Sequence, residues 1–206
     1  MNKMMKVLYD KNHMAMPFTE EDIAWAKQTA ASGSPSGKID LIFLLEEYIE
    51  DWSYEILKRL SKDPNETVRV HAINKLSQFL RTQDFWTLYE DFSEDSPFVI
   101  AAAVAALDYI GIEKEIDQEI RIQRLLEIKE KVLDSLVYVH LVIDTKLFLD
   151  TGEDSYLQTI CRYRQDEDEN VRWQAEDCID EIMTNVQNKE EIAQKIREIT
   201  NDNIEK

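Results

Sequence analysis

Three segments of this chain carry one pattern, each behind an acidic turn. Val68, Val99 and Val171 open it. Four residues on stand Ala72, Ala103 and Ala175; eight on, Leu76, Leu107 and Ile179; eleven on, Phe79, Ile110 and Ile182. The turns ahead of them read KDPNET, EDSPF and DEDEN. These offsets fall along one side of a 3.6-residue helix. Helicity alone does not require a small residue at the second position; close approach of another helix does. Val68 and Val99 are 31 residues apart, and Val99 and Val171 are 72 apart, or two steps of 36. Helix-pair repeats have periods of roughly 34 to 47 residues.

A helix-pair repeat also needs a helix before each turn. SYEILKRLSK, DFWTLYEDFSE and SYLQTICRYRQ stand in those places, each apolar at three- or four-residue intervals. A further unit is expected between the second and third, near 132–149. That segment is apolar and helical, but the Val/Ala/Leu/Ile pattern lies on it in no evident register: either the unit is degenerate or two longer helices replace it. Upstream, Thr19 ahead of Glu20, Glu21 and Asp22 reads as an N-cap with acid in the first turn, opening a helix to about Ala31. SGSPSG at 32–37 reads as a short linker, and 39–60 as one strong helical segment. With 4 Gly and 4 Pro in 206 residues, an all-β fold of tight turns is disfavoured. The expected fold is all-α: an α-solenoid of antiparallel helix pairs covering 38–206, preceded by an N-terminal helical extension and linker at 1–37.

KDPNETVRVHAINKL and DEDENVRWQAEDCIDEI resemble the HEAT repeat: an acidic turn, Val-Arg, then Ala and Leu or Ile. The resemblance covers roughly residues 50 to 185, is weaker in EDSPFVIAAAVAALDYI, where Ile100 stands in place of the Arg, and nearly lapses between 112 and 150. It implies a right-handed solenoid of about four to five repeats. It also implies that Asp63, Arg69, Asp168 and Arg172 are structural, forming a ladder between neighbouring units that Ile100 interrupts.

The formal charge is -18. It opposes binding to a phosphate backbone and to anionic membranes, and favours a basic protein partner. Cys161 and Cys178 read as small core residues, since two thiols make no disulfide framework. The N-terminal residues lack the apolar stretch of a signal peptide, and LVYVHLVIDTKLFL at 136–149 is too short and too charged to span a bilayer. The expectation is a cytoplasmic protein.

No catalytic motif is present. His13, His71 and His140 form no His-x-x-x-His pair, there is no Cys-x-x-Cys, and neither a phosphate loop nor a Gly-x-Ser-x-Gly elbow occurs. No metal or cofactor is expected, and His71 reads as a core histidine. The acidic runs read as solvated faces and turns.

The second helices of such pairs line the usual binding surface. On the last, Trp173, Asp177, Asp180 and Glu181 recur at helical spacing opposite the apolar side. Trp173 either packs on a neighbouring helix or anchors a partner; aromatic residues ringed by charge suit the second role. The matching outward positions elsewhere are Asn74 and Gln78, then Ala105 and Tyr109, with Asp108 beside it. The middle helix, VIAAAVAALDYI, is either covered on both sides or forms an apolar groove floor. The leading expectation is a non-enzymatic module that captures a basic protein on an acidic concave face; its sharper form is an immunity protein that neutralises a toxin domain. The rival is a HEAT-like enzyme, either a DNA glycosylase of alkylated bases or a bilin-lyase-like protein.

Overall fold

The computed structural model describes residues 18–45, 50–79, 82 and 84–204, and these are helices and connecting turns without a strand. In chain order the helices are α1 (Glu20–Ser32), α2 (Pro35–Leu44), α3 (Asp51–Leu60), α4 (Glu66–Leu76), α5 (Asp84–Phe92), α6 (Pro97–Glu113), α7 (Gln118–Lys131), α8 (Val137–Thr151), α9 (Asp154–Tyr163), α10 (Glu169–Asn185) and α11 (Lys189–Ile204). None of them is long and apolar enough to cross a membrane. The chain divides into two compact units, Met1–Thr87 and Leu88–Lys206.

Local chemistry sets the helix starts. Thr19 accepts from Asp22 N, and Asp22 Oδ2 accepts from Thr19 N at 2.8 Å, a reciprocal capping box. The SGSPSG stretch is shorter as a break than expected: Ser32 ends α1, Ser34 caps α2 through Gly37 N, and Pro35 is already its first residue. The segment 39–60 is two helices rather than one. Helix α2 ends at Leu44 and α3 begins at Asp51, because Glu50 and Ser53 cap a new start: Glu50 N donates to Ser53 Oγ and Ser53 Oγ to Glu50 O. In the first unit, α1 packs on α2 and α3, and α4 packs on α2 and α3, burying Ala26, Leu41, Leu57 and Ile73. Helix α1 is thus part of that core.

In the second unit α8 is the hub, in contact with α6, α7, α9 and α10. Its position between α6 and α10 explains its composition: Val139, Leu141, Ile143 and Leu147 are fully buried, and the charged side chains it carries are all but enclosed. The apolar helix α6 is covered on most of its circumference, with Ile100, Ala101, Ala103, Val104 and Leu107 all buried. Cys161 and Cys178 are free, buried core residues, and burial pushes the Cys161 thiol up to about 11. Gly152 ends α8 in the left-handed region, at φ 71°, where a side chain would be strained.

The caps also reveal why the pattern recurs. Asn65, Ser96 and Asp168 are the N-caps of α4, α6 and α10, so each aligned Val is the third helical residue. Ala72, Ala103 and Ala175 are fully buried at the expected point. The N-cap of α8 is Leu136, which places Val139, Ile143 and Leu147 in the same register, all fully buried. Helix α8, near the expected 132–149, therefore shares the buried register, with Ile in place of Ala and Leu in place of a polar cap.

Candidate partner-binding face

Three helices of the second unit lie side by side and parallel. Phe98 and Tyr138, each near the start of its helix, pair edge to face at 4.8 Å, while Asp108 and Lys146 meet near the ends of the same helices. Helix α6 therefore runs with α8. Cys178 Sγ lies 3.6 Å from Leu141 O, and one turn further along both helices Lys146 meets Glu181, so α10 runs with α8 too.

This arrangement sorts the acidic residues into two kinds. Asp108 and Glu181 face α8, where Lys146 Nζ sits between them, bonded to Glu181 Oε1 and 3.8 Å from Asp108 Oδ2. Burial pushes the Asp108 carboxyl up to about 6, with Lys146 pulling it down and Asp150 pushing it up. Asp150 in turn is paired with Arg121 of α7; burial raises its carboxyl, and Arg121 opposes this. Two cations thus serve three carboxylates across α6, α7, α8 and α10.

Asp177 and Asp180 are the other kind. Both are exposed on α10, and neither takes part in an ion pair among the described residues. Asp177 lies close enough to Tyr138 to help burial raise its phenol. Trp173, one turn before Asp177, is 63% exposed. Most of its ring surface is therefore open to solvent rather than buried against a neighbouring helix.

The residues expected to bind are therefore not one surface. Trp173, Asp177 and Asp180 form an open stripe on α10. Glu181 leaves that stripe, because the next position around the helix turns towards Lys146. Asp108, expected to face outwards, is 7% exposed for the same reason. Tyr109 beside it is 41% exposed on α6. Asn74 is exposed and Gln78 half-buried, but both belong to the first unit.

Asp63 and Arg69 meet at the turn before α4. Arg69 Nη1 donates to Asp63 O at 2.9 Å and Pro64 O at 3.2 Å, and Asp63 Oδ2 accepts from Lys38 of α2 at 2.6 Å. Burial pushes the Asp63 carboxyl up, but Lys38 and the Asn65 N–H outweigh it and hold it below the usual carboxylate range. At α10, Arg172 Nη1 donates to Asp166 O at 2.7 Å and Glu167 O at 3.0 Å. The acid that corresponds to Asp63 there is Asp166, two residues before the cap; Asp168, expected in that role, is the cap itself.

Lys146, Arg121 and Asp150 were not legible as site residues. The signal available was a charge inside an apolar helical run, which must find a partner when buried. His71 is half-buried against Phe43, with ring centroids 5.4 Å apart. No group of three His, Cys, Asp or Glu among the described residues could hold a metal ion. Comparison with protein-family models, curated proteins and solved structures finds no match for the chain.

Proposed function

We propose that this chain is a HEAT-like, right-handed helical-repeat module that binds a basic protein, and that its sharper role is that of a cytoplasmic immunity protein covering the active site of a toxin domain. The observation that carries this is an exposed Trp173 flanked by Asp177 and Asp180, two carboxylates without counter-ions among the described residues. Such an arrangement supplies an aromatic anchor and an unbalanced field at one spot. The wider charge distribution agrees with it. Residues 88–206 hold 29 carboxylates against 13 Lys and Arg, a net -16, whereas residues 1–87 carry -2. A cationic partner is drawn to the second unit over the length of a Debye layer, and docking then needs only the local anchor. Carboxylates there can occupy places that phosphates would take in a nuclease active site.

The test is capture from native lysate by the immobilised full chain, with the retained proteins identified by mass spectrometry. Retention of one basic protein, lost in Trp173→Ala and in the double variant Asp177→Lys, Asp180→Lys, is the expected result. Each variant is expected to weaken the purified complex by at least about tenfold. Unchanged affinity in both removes this face from the reading. Binding of duplex DNA at physiological salt would overturn the reading itself.

A further inference from the structure

Four residues after the N-cap, every second helix of a pair except α6 carries a residue that can reach its own or a neighbouring turn. Lys38 Nζ bonds Asp63 at 2.6 Å, Arg69 bonds Asp63 O at 2.9 Å, and Arg172 bonds Asp166 O at 2.7 Å. His140 Nε2 lies 3.2 Å from Leu133 O, a carbonyl that can only accept, so this nitrogen carries the proton. In α6 the same position is Ile100, which has no donor to offer.

A cavity of about 490 Å³ lies at this position. Ile100 lines it together with Tyr89 and Glu94 on one side and Val132, Leu133 and Leu136 on the other. Glu94 is two residues before the Ser96 cap, the place that Asp63 and Asp166 hold before theirs. Unlike Asp63, which Lys38 neutralises, Glu94 is exposed and takes part in no ion pair among the described residues. Asp134, next to Leu133 on the loop, is likewise exposed and in no ion pair. Lys131, the cation at the cavity, is drawn to Glu90 at 3.6 Å. Leu133 is 69% exposed, so the apolar wall continues to the surface.

We propose that this cavity is a docking site for an arginine side chain of a basic polypeptide, which fills the place left by Ile100. The aliphatic stem packs on Ile100, Val132 and Leu136. The guanidinium reaches the Glu94 carboxylate and the Glu94 carbonyl, which stands six residues before Ile100 as Asp63 O stands before Arg69 and Asp166 O before Arg172. The planar fork suits two acceptors at once, as a lysine ammonium does not. A purely apolar ligand would cover Glu94 without neutralising it. The site is separate from the α10 stripe and does not depend on it.

The probe is N-acetyl-arginine amide, titrated into the ¹⁵N-labelled full chain, with N-acetyl-citrulline amide as the uncharged isostere. The expected result is saturable shifts clustered at the amides of Glu94, Ile100 and Leu133. Binding of the citrulline compound is expected to be at least about tenfold weaker, and Glu94→Gln should weaken arginine amide about tenfold. Ile100→Arg fills the cavity from within and should abolish the clustered shifts. Because Glu94 is exposed, its variant tests the site even if Ile100→Arg fails to fold. The Asp177→Lys, Asp180→Lys variant should bind arginine amide as the unaltered chain does, so failure here and failure of the α10 face are distinguishable. Absence of clustered saturable shifts, equal binding of citrulline amide, or undiminished binding to Glu94→Gln would each overturn the assignment.

Discussion

Asp108 and Asp177 differ by a few positions around parallel helices, yet their environments make them different chemical groups. Asp177 is exposed to solvent; Asp108 is enclosed, with its carboxyl pushed up to about 6. A carboxyl whose value is higher in the folded chain than the usual ~3.9 binds its proton more tightly when folded. Its contribution to stability is therefore least unfavourable below about pH 4, and worsens as pH rises through the folded value. Asp108→Asn removes this dependence. The stability of the unaltered chain minus that of the variant should fall by about 2–3 kcal/mol between pH 4 and 7. Urea denaturation of both at each pH measures it, and a difference that does not change with pH would show that Lys146 fully offsets the burial.

At the scale of elements, the recurring register explains both the successes and the misses of sequence reading. The apolar offsets after Val68, Val99 and Val171 were visible because the caps before them are polar and the second position is Ala. Helix α8 keeps the register but changes both markers, with Leu136 as cap and Ile143 at the close contact. A pattern defined by residue size fails there, although the buried face is the same. This leads to two opposite substitutions with one test. Ile143→Ala should open a cavity and cost about 2–4 kcal/mol, and Ala175→Leu should overpack the corresponding point of α10 and cost about 1–3 kcal/mol. Denaturation midpoints for both check it; changes within about 0.5 kcal/mol, typical of surface sites, would mean that these positions do not share a close contact. The split of 39–60 was hidden for a related reason. Glu50 and Ser53 form a cap through backbone groups, and neither stands out in a run that is acidic and apolar throughout.

For the whole molecule, the dominant quantity is the uneven charge: -16 on residues 88–206 and -2 on the rest. Like charges on one compact unit repel, and added salt screens them. Raising sodium chloride from low to physiological concentration should therefore stabilise the folded chain by on the order of 1 kcal/mol. A series of thermal melts in chloride measures this while avoiding the separate stabilising action of sulfate. A falling melting temperature would show instead that internal pairs such as Lys146–Glu181 and Arg121–Asp150 outweigh the repulsion between the unpaired acids.

The amino-acid order was sufficient for the all-helical class, for the repeated register in three helices, for the buried thiols and for the sign of the charge. Each depends on neighbours within a few residues, or on composition alone. It was not sufficient to separate Asp108 and Glu181 from Asp177 and Asp180, or to find Lys146, Arg121 and the cavity beside Ile100. Those depend on which sides of α6, α7, α8 and α10 are turned towards one another. A carboxylate's solvation and its counter-ion are set by groups some 30 to 40 positions away, as Lys146 is from Asp108 and Glu181, and only packing brings them together.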